Sequence, residues 1–307
     1  MVIERISLKL PTNNRQPTTI QQMANLKEIR GRITSISSTM QITSAMKMVS
    51  AAKLKKATDA IGMLRPYSEK LQEIIANVSS TTDLEGISTF TAEREVKKVL
   101  YIVVTSNKGL AGAFNSSVIK ELNTTIGNTQ HEVEILSVGK KVYDSVRRTR
   151  TVYDNQSAIF DGMSFQVVSN FMENVMRDYK EEKFDQVFVI YNKFINAATQ
   201  EVQTEQVLPI AMTEKEGTVN TDYLFEPNAA EILNVLIPKS IKTQVYKAIL
   251  DSIASEHGAR MTAMHKATDN AEALRNELKI FYNKARQAAI TNEILEIVSG
   301  AEALKNT

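Results

Sequence analysis

Apolar positions recur at alternating three- and four-residue steps near both ends of this chain. No proline interrupts residues 240–305. At ~1.5 Å per residue, a helix over that span is on the order of 90–100 Å long. Its apolar stripe passes through Met264, Ala267, Ala271, Leu274, Leu278, Phe281, Ala285, Ala288, Asn292 and Leu295. That spacing is the seam of a coiled coil, and the small residues on it allow a partner helix to approach closely.

The same period returns at the other end of the chain, at Leu26, Ile29, Ile33, Ile36 and Met40, and again at Leu54, Ala57, Ile61 and Leu64. Between these runs Thr43, Lys47 and Ser50 occupy the seam, while Ile42, Met46 and Val49 lie on an adjacent stripe. This pattern predicts a local change of face within an unbroken helix. Pro66 kinks that helix, and an amphipathic stretch resumes it over residues 67–78. The two ends then pair as an antiparallel, left-handed coil whose far tip holds both termini.

In the middle of the chain the period changes. Residues 96–105, 132–138, 184–191 and 199–209 read as strands, with a short strand near 151–153. Residues 115–125, 140–148 and 164–182 read as helices between them. Alternating strands and helices predict a mostly parallel sheet. The expected fold class is therefore α/β: a Rossmann-like domain inserted into a long antiparallel coiled coil. The expected boundaries are a disordered extension over 1–22, a helix over 23–80, an α/β domain over 95–212, a linker over 213–239 and a helix over 240–305. The extension holds Pro11 and Pro17 and no apolar period, so the chain is expected to work equally well from Met23.

Composition narrows the function. The 307 residues are 43% hydrophobic and 23% charged, with no cysteine, which excludes disulfides, thiolate metal sites and thiol regulation. No apolar run reaches the ~18 residues that a membrane span needs. Charge is uneven: residues 23–65 carry eight Lys or Arg against Glu28 and Asp59, while residues 66–239 carry 17 basic against 24 acidic residues. Regions of opposite sign fit different partners. Nucleic acid is not among them, because the basic helix has no aromatic residue for stacking.

Candidate chemistry is sparse. The turn from Asn107 through Lys108, Gly109, Leu110, Ala111, Gly112, Ala113 and Phe114 to Asn115 follows a strand and precedes a helix, as phosphate-cradling turns do. Its spacing fits neither a dinucleotide fingerprint nor a P-loop, so it reads as a tight fold-closing turn. His131, His257 and His265 lack the i, i+4 spacing of metal ligands. No nucleophile–base pair emerges, so no catalytic residue, cofactor or metal is assigned.

The wording of the C-terminal helix is distinctive. Ser255-Glu256-His257-Gly258-Ala259-Arg260-Met261-Thr262-Ala263-Met264, Ala267-Thr268-Asp269-Asn270-Ala271, residues 282–291 and residues 293–301 resemble the signature of the gamma subunits of F-type ATP synthases. Leu26-Lys27-Glu28-Ile29-Arg30 and residues 41–54 resemble that family's N-terminal helix. The turn at 107–115 is similar to its S-D-x-G-L-C-G-x-F-N, with Asn107 for the acid and Ala111 for the cysteine.

The resemblance implies a non-catalytic central rotary stalk, one copy per complex, inside a hexamer of alpha and beta subunits. Such a stalk couples proton flow to ATP synthesis or hydrolysis and regulates ATPase activity. Its α/β domain would sit on a ring of c subunits beside epsilon, reaching the membrane only through that ring. The complex would lie on the cytoplasmic side of a bacterial inner membrane. Met46, Lys47, Arg286, Gln287 and Thr291 match positions that meet beta, with Lys53, Lys55 and Lys56 placed to face its acidic segments. Leu295, Ile297, Val298, Ala301 and Leu304 match an apolar bearing tip. Residue chemistry by itself also admits a nucleotide-binding module with a coiled-coil arm, or a coiled-coil scaffold, and equilibrium ATP binding by the isolated chain separates the first from the stalk.

Overall fold

The computed structural model describes residues 19–79, 89–92, 94–210, 226 and 228–305, with side chains from residue 26 onward. In chain order the elements are α1 (Thr19–Ser79), β1 (Lys98–Val104), α2 (Phe114–Gly127), β2 (Glu132–Val138), α3 (Lys140–Val146), β3 (Thr151–Asn155), a 3-10 turn (Ser157–Asp161), α4 (Phe165–Lys180), β4 (Gln186–Phe194), β5 (Gln200–Leu208) and α5 (Ala229–Lys305). They fall into two compact units, Ser44–Lys266 and the pair Met1–Thr43 with Ala267–Thr307, so α1 and α5 contribute to both.

The larger unit holds a five-stranded sheet in the order β3-β2-β1-β4-β5, parallel except for the antiparallel edge strand β5. Alternation along β1 explains its apolar run. Leu100, Ile102 and Val104 point to one face, Val99, Tyr101 and Val103 to the other, and both faces are covered. The first face packs against α4, the end of α1 through Leu71, Ile75 and Val78, and the start of α5 through Leu233, Ile237, Ile241 and Val245. The second packs against α2 and α3 through Val118, Leu122, Val142 and Val146. Nearer the start of this unit, Ala57 and Ile61 of α1 close on Leu250 and Ala254 of α5.

Two expected boundaries move. The linker expected over 213–239 ends earlier, because α5 begins at Ala229 and runs through Pro238. Asn228 caps it: its Oδ1 accepts from the Glu231 amide at 2.8 Å, while its Nδ2 donates to Glu231 Oε1 at 2.9 Å. That reciprocal pair satisfies the helix start. Pro238 withholds a hydrogen bond from Asn234, which is exposed and so can turn its carbonyl to water. Burial of Leu233, Ile237 and Ile241 at i, i+4 spacing outweighs that loss. The extension expected to be disordered over 1–22 lies outside the described residues up to 18, and its last four positions are already helical in α1.

The expected change of face in α1 is also overturned. Thr43 and Ser50 are buried, whereas Ile42, Met48 and Val49 are exposed, so the seam keeps to its polar positions. Each polar hydroxyl is satisfied locally: Ser50 donates to the Met46 carbonyl at 2.7 Å and Thr43 approaches Thr268 Oγ1 at 2.8 Å. A hydroxyl with a partner can occupy a close helix contact that a larger aliphatic would hold apart. The helix continues through Pro66 without ending.

Gly139 fixes where β2 hands over to α3. Its φ is +117°, and a Cβ there would stand 2.0 Å from the Thr105 carbonyl oxygen. Both the backbone conformation and the space exclude a side chain. Gly139→Ala should therefore destabilise the sheet unit by more than about 3 kcal/mol, read as a lowered denaturant midpoint for the full chain. Gly127→Ala, with open space around its Cβ, serves as the control and should leave the midpoint nearly unchanged.

Candidate subunit-contact surfaces

The signature on α5 turns out to clamp that helix onto the carboxyl edge of the sheet. Ser255 donates to the Asn192 carbonyl at 2.9 Å, and Asn192 Nδ2 donates to the Phe114 carbonyl at 3.1 Å. Thr262 donates to the Ala197 carbonyl at 3.0 Å. Gly258 faces the same loop, and a Cβ on it would lie 3.2 Å from Ala197 Cα, so the helix and the β4–β5 hairpin meet backbone to backbone. Arg260 donates to the carbonyl oxygens of Gly109 and Lys108, and its Nη2 is 2.6 Å from Glu256 Oε1, with both side chains largely buried. A buried ion pair with two further acceptors is fully partnered and holds the 107–115 turn in place.

The turn itself is closed from within. Asn107 Oδ1 accepts from the Lys140 amide at 2.9 Å while its Nδ2 donates to the Ser157 carbonyl at 2.8 Å. Asn115 Oδ1 accepts from the Ser106 amide at 2.9 Å. An amide can accept and donate at once, which a carboxylate at 107 cannot do. The donors that a phosphate would need at the strand end are spent on side chains.

Behind the clamp, the Nδ1 of His257 is buried without a hydrogen-bond partner among the described residues. Burial, then the positive charges of Lys53 and Arg260, push its pKa down to about 4. The ring is neutral at neutral pH, and a proton there has no carboxylate beside it other than Glu256, which Arg260 already engages.

Within the larger unit, Met46 and Lys47 are half-buried on α1, while Lys53, Lys55 and Lys56 are exposed, as are the apolar Met48 and Val49. In the smaller unit the seam shifts from expectation at every second position. Ala271, Leu278, Ala285 and Asn292 face α1 as expected, but Thr268, Arg275, Tyr282 and Ala289 take the places assigned to Ala267, Leu274, Phe281 and Ala288. Leu274 and Phe281 are about half exposed, at 46% and 54%. The polar rungs make specific bonds across the pair: Thr43 to Thr268, Arg30 Nη2 to the Tyr282 hydroxyl at 2.7 Å, and Arg275 Nη1 to Met40 Sδ at 3.6 Å. These residues were missed because an apolar count does not weigh hydroxyl and guanidinium partners on the facing helix.

That register places Thr19, the first helical residue of α1, opposite the neighbourhood of Asn292. Leu295, Ile297, Val298 and Leu304 are 55% to 81% exposed, and Ala301 is exposed with them. Arg286, Gln287 and Thr291 are exposed too, and Thr291 Oγ1 donates to the Gln287 carbonyl at 2.9 Å. Gln287 and Thr291 therefore share a face, with Arg286 about 100° away from Gln287. Arg286, Gln287 and Thr291 thus stand on one stretch of the smaller unit, while Met46 and Lys47 belong to the larger.

The fold is that of an α/β sheet unit carried on two long helices from opposite ends of the chain, with the candidate contact residues on those helices. Comparison with known proteins gives it a family. The profile described as ATP synthase matches residues 25–304. The ATP synthase gamma chain of Flavobacterium psychrophilum is 60% identical over 285 residues, covering 92% of this chain and 100% of the relative. That of Flavobacterium johnsoniae is 60% identical over 284 residues, covering 92% and 99%. Among solved structures, the central stalk with c-ring of the Tetrahymena thermophila mitochondrial ATP synthase has a TM-score of 0.55 at 27% identity, covering 74% of this chain and 99% of that one. The rotor of the Euglena gracilis mitochondrial ATP synthase matches at 0.62 over 87% and 99%, and its 20% identity speaks for the fold alone. This chain belongs to the gamma-subunit family of F-type ATP synthases.

The depressed pKa of His257 has a measurable consequence. Between its ordinary value of 6.5 and about 4, the unfolded chain binds a proton that the folded chain refuses. Stability from this group is complete above pH 6.5 and is lost as pH falls toward 4, by at most about 3 kcal/mol. Chemical denaturation of wild type and His257→Gln across that range should show the difference between them narrowing as pH falls. A constant difference would mean that folding leaves the proton affinity of the imidazole unchanged.

Proposed function

We propose that this chain is the central rotary stalk of a proton-driven ATP synthase, transmitting rotation of a c ring to catalytic beta subunits and influencing ATPase activity. Full-length similarity to gamma chains carries the reading, and the long exposed surface of α5 supports it. Catalysis belongs to beta in this reading; gamma supplies an orientation-dependent contact that favours one beta conformation over another. The alpha–beta hexamer surrounds the paired helices, epsilon and the c ring meet the sheet unit, and the complex sits peripherally on the cytoplasmic face of a bacterial inner membrane. No described helix is long and apolar enough to cross a membrane, so the membrane is reached through the ring.

Two kinds of surface are assigned. Leu295, Ile297, Val298, Ala301 and Leu304 form an apolar bearing, because their side chains offer a surrounding collar no directional bond to catch on. Arg286, Gln287 and Thr291 form a catch for a loop of beta in one rotational state, with Met46 and Lys47 meeting a second beta segment. The exposed polar groups of the catch are free to be taken up by a partner, and a charge-assisted bond contributes roughly 1.5–3 kcal/mol.

The double substitution Arg286→Ala with Gln287→Ala tests the catch in a reconstituted complex. Subunit stoichiometry should stay normal, because Ala285, Ala289 and Asn292 keep the seam. ATP synthesis and hydrolysis should both fall, since a state-specific contact is lost. Normal assembly with unchanged rates would make these two side chains surface decoration.

A further inference from the structure

We propose that the turn between α3 and β3 is a binding site for a phosphate-type oxyanion. Arg147, Arg148 and Arg150 fall within four residues there, and with His131 and Thr151 they line an open cleft of about 510 Å³. No Asp or Glu lines that cleft. The nearby carboxylates are engaged elsewhere: Glu132 and Glu134 with Lys98 Nζ at 3.3 and 2.7 Å, and Asp144 with Arg147 at 3.8 Å. Arg148 and Arg150 make no ion pair or side-chain hydrogen bond among the described residues. Two unengaged guanidiniums on one tight turn repel each other unless an anion lies between them.

The backbone fixes this turn. The amides of Thr149 and Arg150 both donate to the Val146 carbonyl, at 3.0 and 2.9 Å, so the backbone at the end of α3 keeps the three arginines on one short turn. Position against charge background strengthens the case. Residues 66–239 carry 24 acidic and 17 basic residues, so three arginines on one turn are not the local composition repeating itself. Guanidinium forks match the oxygen geometry of a phosphate, and the cleft has ample room for a phosphate group with part of its hydration. The group can arrive as free phosphate or as the headgroup of an anionic lipid, and both present the same oxygens. The site contains none of the beta-contact or bearing residues assigned above, so its failure would leave that reading untouched.

Arg148→Gln with Arg150→Gln in the full-length chain provides the test, beside Lys120→Gln as an exposed basic control. Inorganic phosphate is titrated at constant ionic strength, followed by calorimetry and by amide shifts. Saturable binding that moves amides around residues 129–151, and weakens by about tenfold or more in the double variant only, supports the site. Co-sedimentation with phosphatidylglycerol vesicles, but not with phosphatidylcholine vesicles, and lost in the double variant, supports it with a lipid headgroup as the source; phosphate binding without vesicle binding supports it with free phosphate. Matching thermal unfolding of the variants confirms that the fold is intact. Absence of saturable binding to either probe, or equal binding by wild type and double variant, overturns the proposal and leaves the arginines to an acidic protein surface.

Discussion

The pairing of α1 with α5 is the constraint on which the rest depends. These helices come from opposite ends of the sequence, so the loop closed by their contact spans most of the chain and its entropy cost must be met by the contact itself. The smaller unit has little apolar area with which to meet it. Of its seam, Ile29 and Ala289 are buried and Ile33, Ile36, Met40, Ala271, Leu278 and Ala285 only partly so. Fully burying an isoleucine contributes about 1.5–3 kcal/mol, and an alanine much less. Cross-helix hydrogen bonds of about 0.5–1.5 kcal/mol each are then no minor addition. Thr43 with Thr268 and Arg30 with Tyr282 contribute in the same range as the aliphatics around them. They also discriminate. An apolar stripe of alanines tolerates slippage, whereas a hydroxyl or guanidinium moved by one turn loses its partner on the facing helix.

In the larger unit the same two helices answer to the sheet. Leu71, Ile75 and Val78 of α1 and Leu233, Ile237, Ile241 and Val245 of α5 cover one face of it. The Ser255, Gly258, Arg260 and Thr262 contacts then lock α5 to the carboxyl edge and the β4–β5 hairpin. This arrangement explains the odd chemistry of the signature. Its residues are small or hydrogen-bonding because the helix lies against backbone: carbonyl oxygens of Asn192, Ala197, Lys108 and Gly109 all receive donors from one helix surface. A torque-bearing element held by four directional contacts and a buried ion pair resists rolling about its own axis better than one held by aliphatic packing, which has no angular preference.

Much of this was legible in the sequence because periodicity reports burial. Residues 132–138 were read as a strand, and β2 spans Glu132–Val138. The buried two-faced run of β1 and the alternating edge of β5 were visible for the same reason. What stayed hidden was partner-dependent. The seam of α5 was read through Leu274 and Phe281 because they are apolar, yet Arg275 and Tyr282 face α1, where Met40 and Arg30 give them partners. Pro238 was read as lying outside the helix, although Asn228 and Glu231 at capping-box spacing announced its start earlier. Of the contact residues, their exposure is plain in the structure and their spacing was plain in the sequence; the beta loop they are assigned to meet left no mark in either.

The register of the smaller unit ties these threads to the shape of the contact surface. Because Thr43–Thr268 and Arg30–Tyr282 set the offset, Thr19 of α1 falls opposite the neighbourhood of Asn292. Up to that point polar groups can be used inside the pair, where partners are fixed. Close to Asn292 on α5, Ile294, Leu295, Ile297 and Val298 are exposed, interleaved with the exposed carboxylates of Glu293 and Glu296. Aliphatic side chains give a nearly featureless interaction with a collar, since dispersion contacts are individually small and non-directional. Directional bonds suit the fixed partner inside the pair, whereas aliphatic side chains suit a neighbour that moves, and that is the physical difference between the seam and the bearing proposed at Leu295, Ile297, Val298, Ala301 and Leu304.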